Sequence, residues 1–424
     1  MTDRPTAPLS AILTLVNDKV LSRKNPDCIY VGLEDIPSGG TSLISHGWAT
    51  DSVSTNNVFK AGDVLFGKLR PRLRKSIRID RPGYCSTDIL VLRPTAGVDP
   101  EFAGYVAQSD TVFTKAVRTE EGTKMPRCSW QQIQSVHVFL PTSRNEQRSI
   151  VRVLACMDRA IDRTTDLIAK QQQVKAGLLQ AVFSRGVLPD GELRPTRASR
   201  PELYRETEAG WLPVDWRLDS LGRNAKIVSG VTLGSKEAST NALTVPYLRV
   251  ANVQDGYLDL RELKTVKVSA NVAEQLRLLP GDVLMNEGGD FDKLGRGAVW
   301  SGEIENCIHQ NHVFRVRCNN VHLLPEFLAY FTESDFGKRY FRVNSKQSTN
   351  LASINSKQLH AYPVALPHPK EQERIAHRVQ KAVRAINSLQ AEVDKLRMRK
   401  RGLMADLLTG RVSVEHLAPE LASA

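Results

Sequence analysis

A stretch of about forty residues that occurs twice constrains this chain more than any other feature. Residues 146–184 return 225 positions later as residues 371–409. In the second copy, apolar residues step alternately four and three positions from Ile375 to Leu396, which is the a/d heptad pattern of a helix that packs along another helix. Seven positions of the first copy align with seven of the second: Ile150, Leu154, Met157, Ile161, Ile168, Leu178 and Val182 with Ile375, Val379, Ala382, Ile386, Val393, Leu403 and Leu407.

Both copies carry the start and stop signals of long helices. Ser143 stands three residues before Glu146, the spacing of a capping box. Pro369 suits the first turn of the second helix, and Gly186 and Gly410 suit the left-handed position after a helix end. Forty residues at about 1.5 Å each form a rod of roughly 60 Å. Because the two seams have equal length, we expect the helices to pack on each other, with Lys175 and Lys400 interrupting both seams at the same place.

The globular segments before the two helices are also related. Each of five segments of the first half has a counterpart in the second: residues 30–33 and 247–250, 62–65 and 281–284, 102–105 and 327–330, 109–110 and 334–335, 140–141 and 366–367. Strands are expected at residues 28–33, 62–66, 88–92 and 136–140, and a short amphipathic helix at 101–114. Residues 185–210 have the composition of a linker.

This duplication predicts an α+β fold with an internal pseudo-twofold repeat. Two tandem α/β domains are separated by two long antiparallel helices that form a coiled-coil-like spacer, since a parallel pairing would need a return connection along the whole rod. The expected boundaries are a first globular domain at 1–143, a central helix and linker at 144–200, a second globular domain at 201–368 and a C-terminal helix at 369–424.

Composition limits the class of partner. A net charge of +12 and a pI near 9.4 favour a polyanion, although a soluble basic protein without such a partner has the same composition. The six cysteines form no CxxC pair or disulfide framework and indicate reduced thiols of a cytosol. We expect no signal peptide and no membrane span.

The densest basic cluster follows the Gly62-Asp63 turn. It contains Lys68, Arg70, Arg72, Arg74, Lys75, Arg78 and Arg81. Alternation would place its cations on one face of a strand, suited to DNA phosphates; a solvated hairpin is the alternative. The equivalent stretch of the second half, residues 286–296, mixes Lys293 and Arg296 with three acids. Such a loop suits base edges better than phosphates, so the two halves are expected to read different sequences.

A second pair of polar loops precedes the last strand of each globular domain. Residues 122–127 include Lys124 and Arg127, and residues 345–350 include Lys346, Gln347 and Asn350. Side chains of these types contact DNA grooves and phosphates. Their recurrence at equivalent places favours binding over two unrelated surface loops.

Catalysis by this chain alone is not expected. The sequence has no P-loop, no GxSxG and no GxGxxG pattern, and no Asn/Asp-Pro-Pro-Tyr/Phe stretch typical of amino-methyltransferases. His309 and His312 have HxxH spacing without further ligands, which favours structural histidines over a metal site.

The chain resembles the specificity (S) subunit of Type I restriction–modification systems. The likeness lies in Leu140-Pro141 with Glu146-Gln147-Arg148 and Gly177-Leu178-Leu179, and again in Leu366-Pro367 with Glu371-Gln372-Glu373 and Gly402-Leu403-Met404. The stretch Gly210 to Trp216 is similar to the Gly-x-x-Pro-x-x-Trp that opens target recognition domains of this family. The first half lacks a clear equivalent of it.

This resemblance implies a non-catalytic DNA-recognition subunit of the prokaryotic cytoplasm. Each globular domain would be a target recognition domain for one half of a bipartite double-stranded DNA sequence, and the helices would set the gap. Two methyltransferase subunits, which bind S-adenosylmethionine and form N6-methyladenine, would dock on the helices; Ile150, Leu154, Ile161, Ile375, Val379 and Ile386 mark the seam. Restriction subunits would supply ATP- and Mg-dependent cleavage, and this chain would carry no cofactor or metal.

Two other readings stay open at the level of the sequence. A coiled-coil structural adaptor with incidental basic charge would show no sequence-selective DNA binding and would tolerate charge reversal between Lys68 and Lys75. An enzyme that acts alone on nucleic acid would modify or cut DNA without partner subunits.

Overall fold

The computed structural model describes residues 4–21, 27–208, 210–233, 242–289, 295, 297–347 and 352–414. Contacts divide the chain into two compact units. Unit 1 contains Met1–Leu167 and Leu389–Ala424, and unit 2 contains Ile168–Ser388. Each unit therefore combines one globular body with one part of each long helix, whereas the predicted domains keep the helices separate from the bodies.

Unit 1 is built on two sheets and a strand pair. The sheets have strand orders β2-β10-β7-β8 and β3-β6-β9-β4-β5, and β1 pairs with β11. The strands are β1 Thr6–Pro8, β2 Leu13–Val16, β3 Lys19–Leu21, β4 Ile29–Val31, β5 Gly47–Trp48, β6 Thr55–Phe59, β7 Val64–Gly67, β8 Ser76–Arg78, β9 Gly83–Cys85, β10 Ile89–Pro94 and β11 His137–Phe139. The helices are α1 Pro100–Gln108, α2 Asp110–Arg118, α3 Trp130–Ile133 and the start of α4 Arg144–Arg185.

Unit 2 repeats this plan with variations. Its sheets have orders β15-β22-β18-β20, β17-β16-β21 and β19-β24-β23, and the strand pairs are β12-β13 and β14-β25. The strands are β12 Tyr204–Thr207, β13 Gly210–Pro213, β14 Arg217–Ser220, β15 Ala225–Ser229, β16 Ala242–Leu248, β17 Lys264–Ser269, β18 Asp282–Asn286, β19 Gly288–Gly289, β20 Gly297–Val299, β21 Ile308–His309, β22 Val313–Cys318, β23 Lys346–Gln347, β24 Ala352–Ser353 and β25 Pro363–Leu366. The helices are α5 Leu221–Asn224, α6 Ala270–Leu276, α7 Pro325–Glu333, α8 Asp335–Asn344, α9 Ser356–His360 and α10 Pro369–Leu407.

The main sheets of the two units correspond strand by strand. β2-β10-β7-β8 and β15-β22-β18-β20 are both antiparallel throughout. In each sheet, a buried aspartate at the start of one strand, β7 or β18, binds an arginine of the neighbouring strand, β10 or β22. The distances are 2.8 Å for Asp63 with Arg93 and 2.6 Å for Asp282 with Arg317. Both aspartates belong to the duplicated Gly-Asp-Val-Leu segments. The predicted α+β fold with an internal repeat is confirmed.

The two long helices run in opposite directions within each unit. In unit 1, Lys400 near the end of α10 binds Asp158 near the start of α4 at 2.6 Å. In unit 2, Arg374 in the first turns of α10 donates to the carbonyl of Val187, just past the end of α4, at 3.1 Å. Gly186 and Gly410, with φ of 72° and 69°, follow the two helix ends as predicted.

The lysines that interrupt the seams join helix to globular body. The ammonium of Lys400 lies 5.5 Å from the ring centroid of Tyr105 in α1, and the Tyr105 hydroxyl donates to Asp158 at 2.7 Å. Lys175 of α4 binds Glu333 of α7 at 2.6 Å. All of these charged side chains are at least 85% buried. Lys400 therefore attaches the C-terminal part of α10 to the globular body of unit 1, and Lys175 attaches the C-terminal part of α4 to that of unit 2.

The glutamine of each Glu-Gln motif ties a long helix to the short helix beside it. The Gln147 side chain accepts from the Asp99 N–H at 2.8 Å and donates to the Pro141 carbonyl at 3.1 Å. Gln372 makes the same bonds to the Leu324 N–H at 2.9 Å and the Pro367 carbonyl at 3.0 Å. Both glutamine side chains are buried, and each amide satisfies one backbone donor and one backbone acceptor.

Two local expectations need correction. The helix predicted at 101–114 is two helices, because Ser109 between them is extended and its hydroxyl caps α2 by accepting from the Val112 N–H. The stretch with linker composition is packed only in part: Arg194, 7% exposed, binds Glu371 and Asp215, whereas residues 195–202 are exposed. A side chain on Gly186 would displace the paired ends of Arg194 and Glu371, which favours glycine here beyond its role at the helix end.

Candidate nucleic-acid interface

The two basic loops predicted in the first half lie side by side in unit 1. The Arg70 N–H donates to the Pro126 carbonyl at 2.7 Å, and the Cys128 N–H donates to the Lys68 carbonyl at 3.0 Å. The second loop thus continues the sheet beyond the end of β7. Arg70, Arg72, Leu73, Glu120, Gly122, Thr123, Lys124 and Pro126 line a cleft of about 440 Å³ between the loops.

The basic cluster does not form a strand face, and that expectation is wrong. Strand β7 ends at Gly67 and β8 begins at Ser76, with a 3₁₀ turn at Pro71–Leu73 between them. Arg70 and Arg74, on either side of this turn, have φ of 51° and 53°. These left-handed residues break the alternation on which a single cationic face depends.

The cations of the two loops are of two kinds, those that bind a carboxylate or carbonyl and those without an ion pair. Arg72 binds Glu120 and Arg74 binds Asp110, each at 2.5 Å, and Lys75 donates to the Leu33 carbonyl at 2.6 Å. Arg74 also lies 4.9 Å from the Phe113 ring centroid. Within the described part of the chain, no ion pair involves Lys68, Arg70 or Lys124. These three side chains are the cations available to a polyanion, while Arg74 and Lys75 stabilise the loop.

Arg127 is held in place by a carboxylate. Its Nε and Nη2 donate to the two oxygens of Asp88 at 3.0 and 3.4 Å, and its Nη1 to the Met125 carbonyl at 3.4 Å. This contact raises the pKa of Arg127 above its already high ordinary value. Arg127 is therefore a fixed positive donor at the edge of the cleft.

The corresponding loops of unit 2 also meet. β24 pairs with β19 and β23, so that Ser353 faces both Gly288 and Lys346. Lys346 and Gln347 form β23 itself, whereas Lys293, Arg296 and Asn350 lie outside the described residues. The structure thus brings together the two stretches predicted in each half, a proximity that sequence spacing alone does not reveal.

Sequence reasoning missed the residue pair Glu287 and His312 at this junction. The Glu287 carboxylate lies 2.7 Å from Nδ1 of His312, and the Glu287 N–H donates to the His312 carbonyl at 3.0 Å. The available signals were the mixed charge of residues 286–296 and the HxxH spacing of His309 and His312. His312 stands 25 residues from Glu287, so strand pairing had to be known first.

The seam residues proposed for partner docking are mostly part of the protein core. Ile150 and Leu154 pack in the core of unit 1, and Ile375 and Val379 in that of unit 2; all four are at most 1% exposed. Ile161 and Ile386 are half-buried. A partner on the helices would contact other side chains of their outer faces.

The HxxH histidines have separate environments. His309 is buried with its Nδ1 bound to the Val313 carbonyl at 2.6 Å, and this burial lowers its pKa from 6.5 to about 4. His312 is exposed and faces Glu287. The described ranges contain no cluster of three or more His, Cys, Asp or Glu that could hold a metal ion. They also contain no helix apolar and long enough for a membrane span.

Comparisons with known proteins agree with this architecture. A family model described as Type I restriction modification DNA specificity domain matches residues 213–396. The StySPI specificity subunit of Salmonella potsdam is 22% identical over 420 residues, covering 95% of this chain and 87% of that protein. The chain is similar to the Type I restriction–modification specificity subunits over nearly its whole length.

Other specificity subunits match this chain over smaller parts of its length. The EcoKI specificity subunit of Escherichia coli K12 is 21% identical, covering 79% of this chain and 70% of that protein. For a relative from Methanocaldococcus jannaschii, named for the MjaX restriction enzyme, the identity is 25%, and the match covers 50% of this chain and 49% of that protein.

Solved structures share the fold across nearly the whole chain. A chain from a type I R-M system, studied for complex assembly and conformational transition, has a TM-score of 0.55 at 20% identity and covers 96% of this chain and 98% of that one. The S subunit from M. genitalium has a TM-score of 0.50 at 15% identity, with coverages of 96% and 97%.

Proposed function

We propose that this chain is the DNA sequence-recognition subunit of a Type I restriction–modification complex, in which each globular unit reads one half of a bipartite target. The observation that carries the proposal is the junction of two polar loops at the end of the main sheet, present in both units on the same backbone framework. Similarity to Type I specificity subunits supports the same function, and it does not favour the coiled-coil adaptor.

Unit 1 offers both kinds of contact that a DNA-reading surface needs. Lys68, Arg70 and Lys124 supply positive charge without carboxylate partners among the described residues, which suits phosphate contacts. Asp88 holds the Nε–Nη2 edge of Arg127, and the remaining guanidinium N–H groups next to these cations suit a base edge. A surface with both can position DNA and discriminate its sequence.

Chemistry on the DNA is assigned to partner subunits. We propose that two methyltransferase subunits, which bind S-adenosylmethionine, and restriction subunits, which use ATP and Mg, assemble with this non-catalytic chain. The names of the similar proteins, which are specificity subunits of type I restriction enzymes, support a place in such an enzyme. The outer faces of α4 and α10 are the proposed docking surface, since their inner apolar residues are used in the cores.

Charge reversal tests the unit 1 surface. Arg70→Glu should weaken DNA binding and reduce the slope of log affinity against log salt by about one to two, because one phosphate contact is replaced by a repulsion. Arg81→Glu is the matched control, since Arg81 lies in the turn after β8 and binds Asp80. Binding of the reconstituted complex is measured between about 50 and 200 mM salt. Equal slopes for wild type and Arg70→Glu would remove this loop from the interface.

A further inference from the structure

The loop junctions of the two units share a hydrogen-bond framework at three positions. The N–H of Lys68 donates to the carbonyl of Asp88 at 3.0 Å in unit 1, as the N–H of Glu287 does to His312 at 3.0 Å in unit 2. The carbonyl of the first residue then accepts from Cys128 at 3.0 Å in unit 1 and from Ile354 at 2.8 Å in unit 2. Positions 68 and 287 are therefore equivalent, as are 88 and 312, and 127 and 353.

At these equivalent positions, the carboxylate and the side chain that it binds occupy different places in the two units. In unit 1 the carboxylate belongs to the second position, Asp88, and holds Arg127 of the third. In unit 2 the carboxylate belongs to the first position, Glu287, and holds His312 of the second. Both carboxylates are 28% exposed, whereas the Arg127 and His312 side chains are 44% and 57% exposed. Each unit thus presents a solvent-facing nitrogen group that a more buried carboxylate orients.

The oriented groups differ in what they can bind. Asp88 occupies the Nε–Nη2 edge of Arg127, which leaves the Nη1–Nη2 end for a ligand apart from one long contact to Met125. That end matches the O6 and N7 acceptors of guanine. With the Glu287 carboxylate on Nδ1, the Nδ1 of His312 carries a proton, and its Nε2 remains for a base edge.

We propose that the Asp88–Arg127 pair and the Glu287–His312 pair are specificity-determining sites, one for each half of the DNA target. Arg127 reads a guanine in the half-site of unit 1. In the half-site of unit 2, His312 contacts a base edge through Nε2. The carboxylates act as positioning residues, since each contacts DNA only through the side chain it orients. This inference rests on the proposed function.

A different result is expected if the Asp88–Arg127 and Glu287–His312 pairs serve only to hold strands together. The backbone bonds at positions 68 and 287 already join the strands, so loss of a structural side-chain pair would lower stability and affinity for all sequences equally. Loss of a base contact instead relaxes selection at one base pair and leaves the rest of the target unchanged. The two roles are separated by sequence preference, measured against overall affinity.

The test is selection of bound duplexes from a randomised DNA library by the reconstituted complex of this chain with methyltransferase subunits. His312→Ala should reduce discrimination at one position of one half-site by about five- to a hundredfold, with the other half-site as an internal control. Arg127→Ala should do the same in the other half-site. Glu287→Gln keeps the size and polarity of the side chain and should give a smaller loss at the His312 position. His322→Ala, an exposed histidine of the same unit, should match wild type.

The outcomes separate this inference from the proposed function. No sequence preference in the wild-type complex would overturn the proposed function. A wild-type preference that His312→Ala and Arg127→Ala leave unaltered, or lower uniformly across all sequences, would overturn the assignment of these two pairs. If His312→Ala does not assemble, Glu287→Gln supplies the same comparison.

Discussion

Individual buried polar residues attach the long helices to the globular bodies of the two units. The heptad pattern located Lys175 and Lys400 but did not reveal their partners, because Glu333 and Asp158 lie 158 and 242 positions away in the chain. Arg194 was counted in a linker and is instead a buried partner of Glu371. Long-range ion pairs leave no periodic signal in a sequence, so composition alone assigns such residues to the surface.

Burial of His309 predicts a dependence of stability on pH. Its pKa is about 4 in the folded chain and near 6.5 when unfolded, so the unfolded state binds more protons between these values. The contribution is fully present above pH 6.5 and is lost as pH falls towards 4, at about 1.4 kcal/mol per pKa unit and therefore about 3 kcal/mol in total.

His309→Asn removes this titration while keeping a donor for the Val313 carbonyl. Urea unfolding between pH 7 and pH 4 should show a shallower decline for the variant than for wild type. Parallel declines for the two proteins would contradict the assignment of a neutral, buried His309.

At the scale of elements, the long helices were predictable and the loop junctions were not. Capping signals and apolar periodicity located α4 and α10 to within a few residues. The break between α1 and α2 was missed because apolar residues continue across Ser109, although Ser-Asp is a helix-start signal. The strand-like reading of residues 68–74 failed because Arg70 and Arg74 adopt left-handed conformations that alternating charge does not indicate.

The Glu-Gln motif makes a testable claim about how these elements are joined. Gln147→Glu and Gln372→Glu preserve shape but replace the amide donor by an acceptor facing the Pro141 or Pro367 carbonyl. Each variant should lower the free energy of unfolding at pH 7 by at least about 1–3 kcal/mol, the cost of an unsatisfied buried group. Gln173→Glu, at an exposed position of α4, should change it by less than about 0.5 kcal/mol. Equal stability of all three variants in urea denaturation would refute the linking role.

At the scale of the whole molecule, the repeat was the most informative feature of the sequence. It predicted two related bodies and two antiparallel helices before any contact was known. The predicted domain boundaries stay predictions. They treat each long helix as separate from the globular domains, whereas the two compact units of the structure divide each long helix between them. The repeat suggests bipartite recognition and a helical spacer, and both are tested by DNA-binding experiments.

A matched deletion tests the spacer. Removal of residues 164–170 together with residues 388–394 takes one heptad from each helix and preserves the a/d register. The variant complex should still select both half-sites, but with an altered gap between them, as read by selection from randomised DNA. Removal of the heptad from α4 alone should instead prevent assembly, because the seams no longer match. Selection of the original gap by the double deletion would contradict a role of the helices in spacing.

The central claim is tested most directly by mapping adenine methylation in DNA from cells that contain this chain and its methyltransferase subunits. Those subunits are first shown to be active with another specificity subunit. The account predicts N6-methyladenine in a split motif with a fixed gap, present with this chain and absent without it. Active methyltransferase subunits that yield no such motif with this chain, or that yield the same motif without it, would contradict the claim.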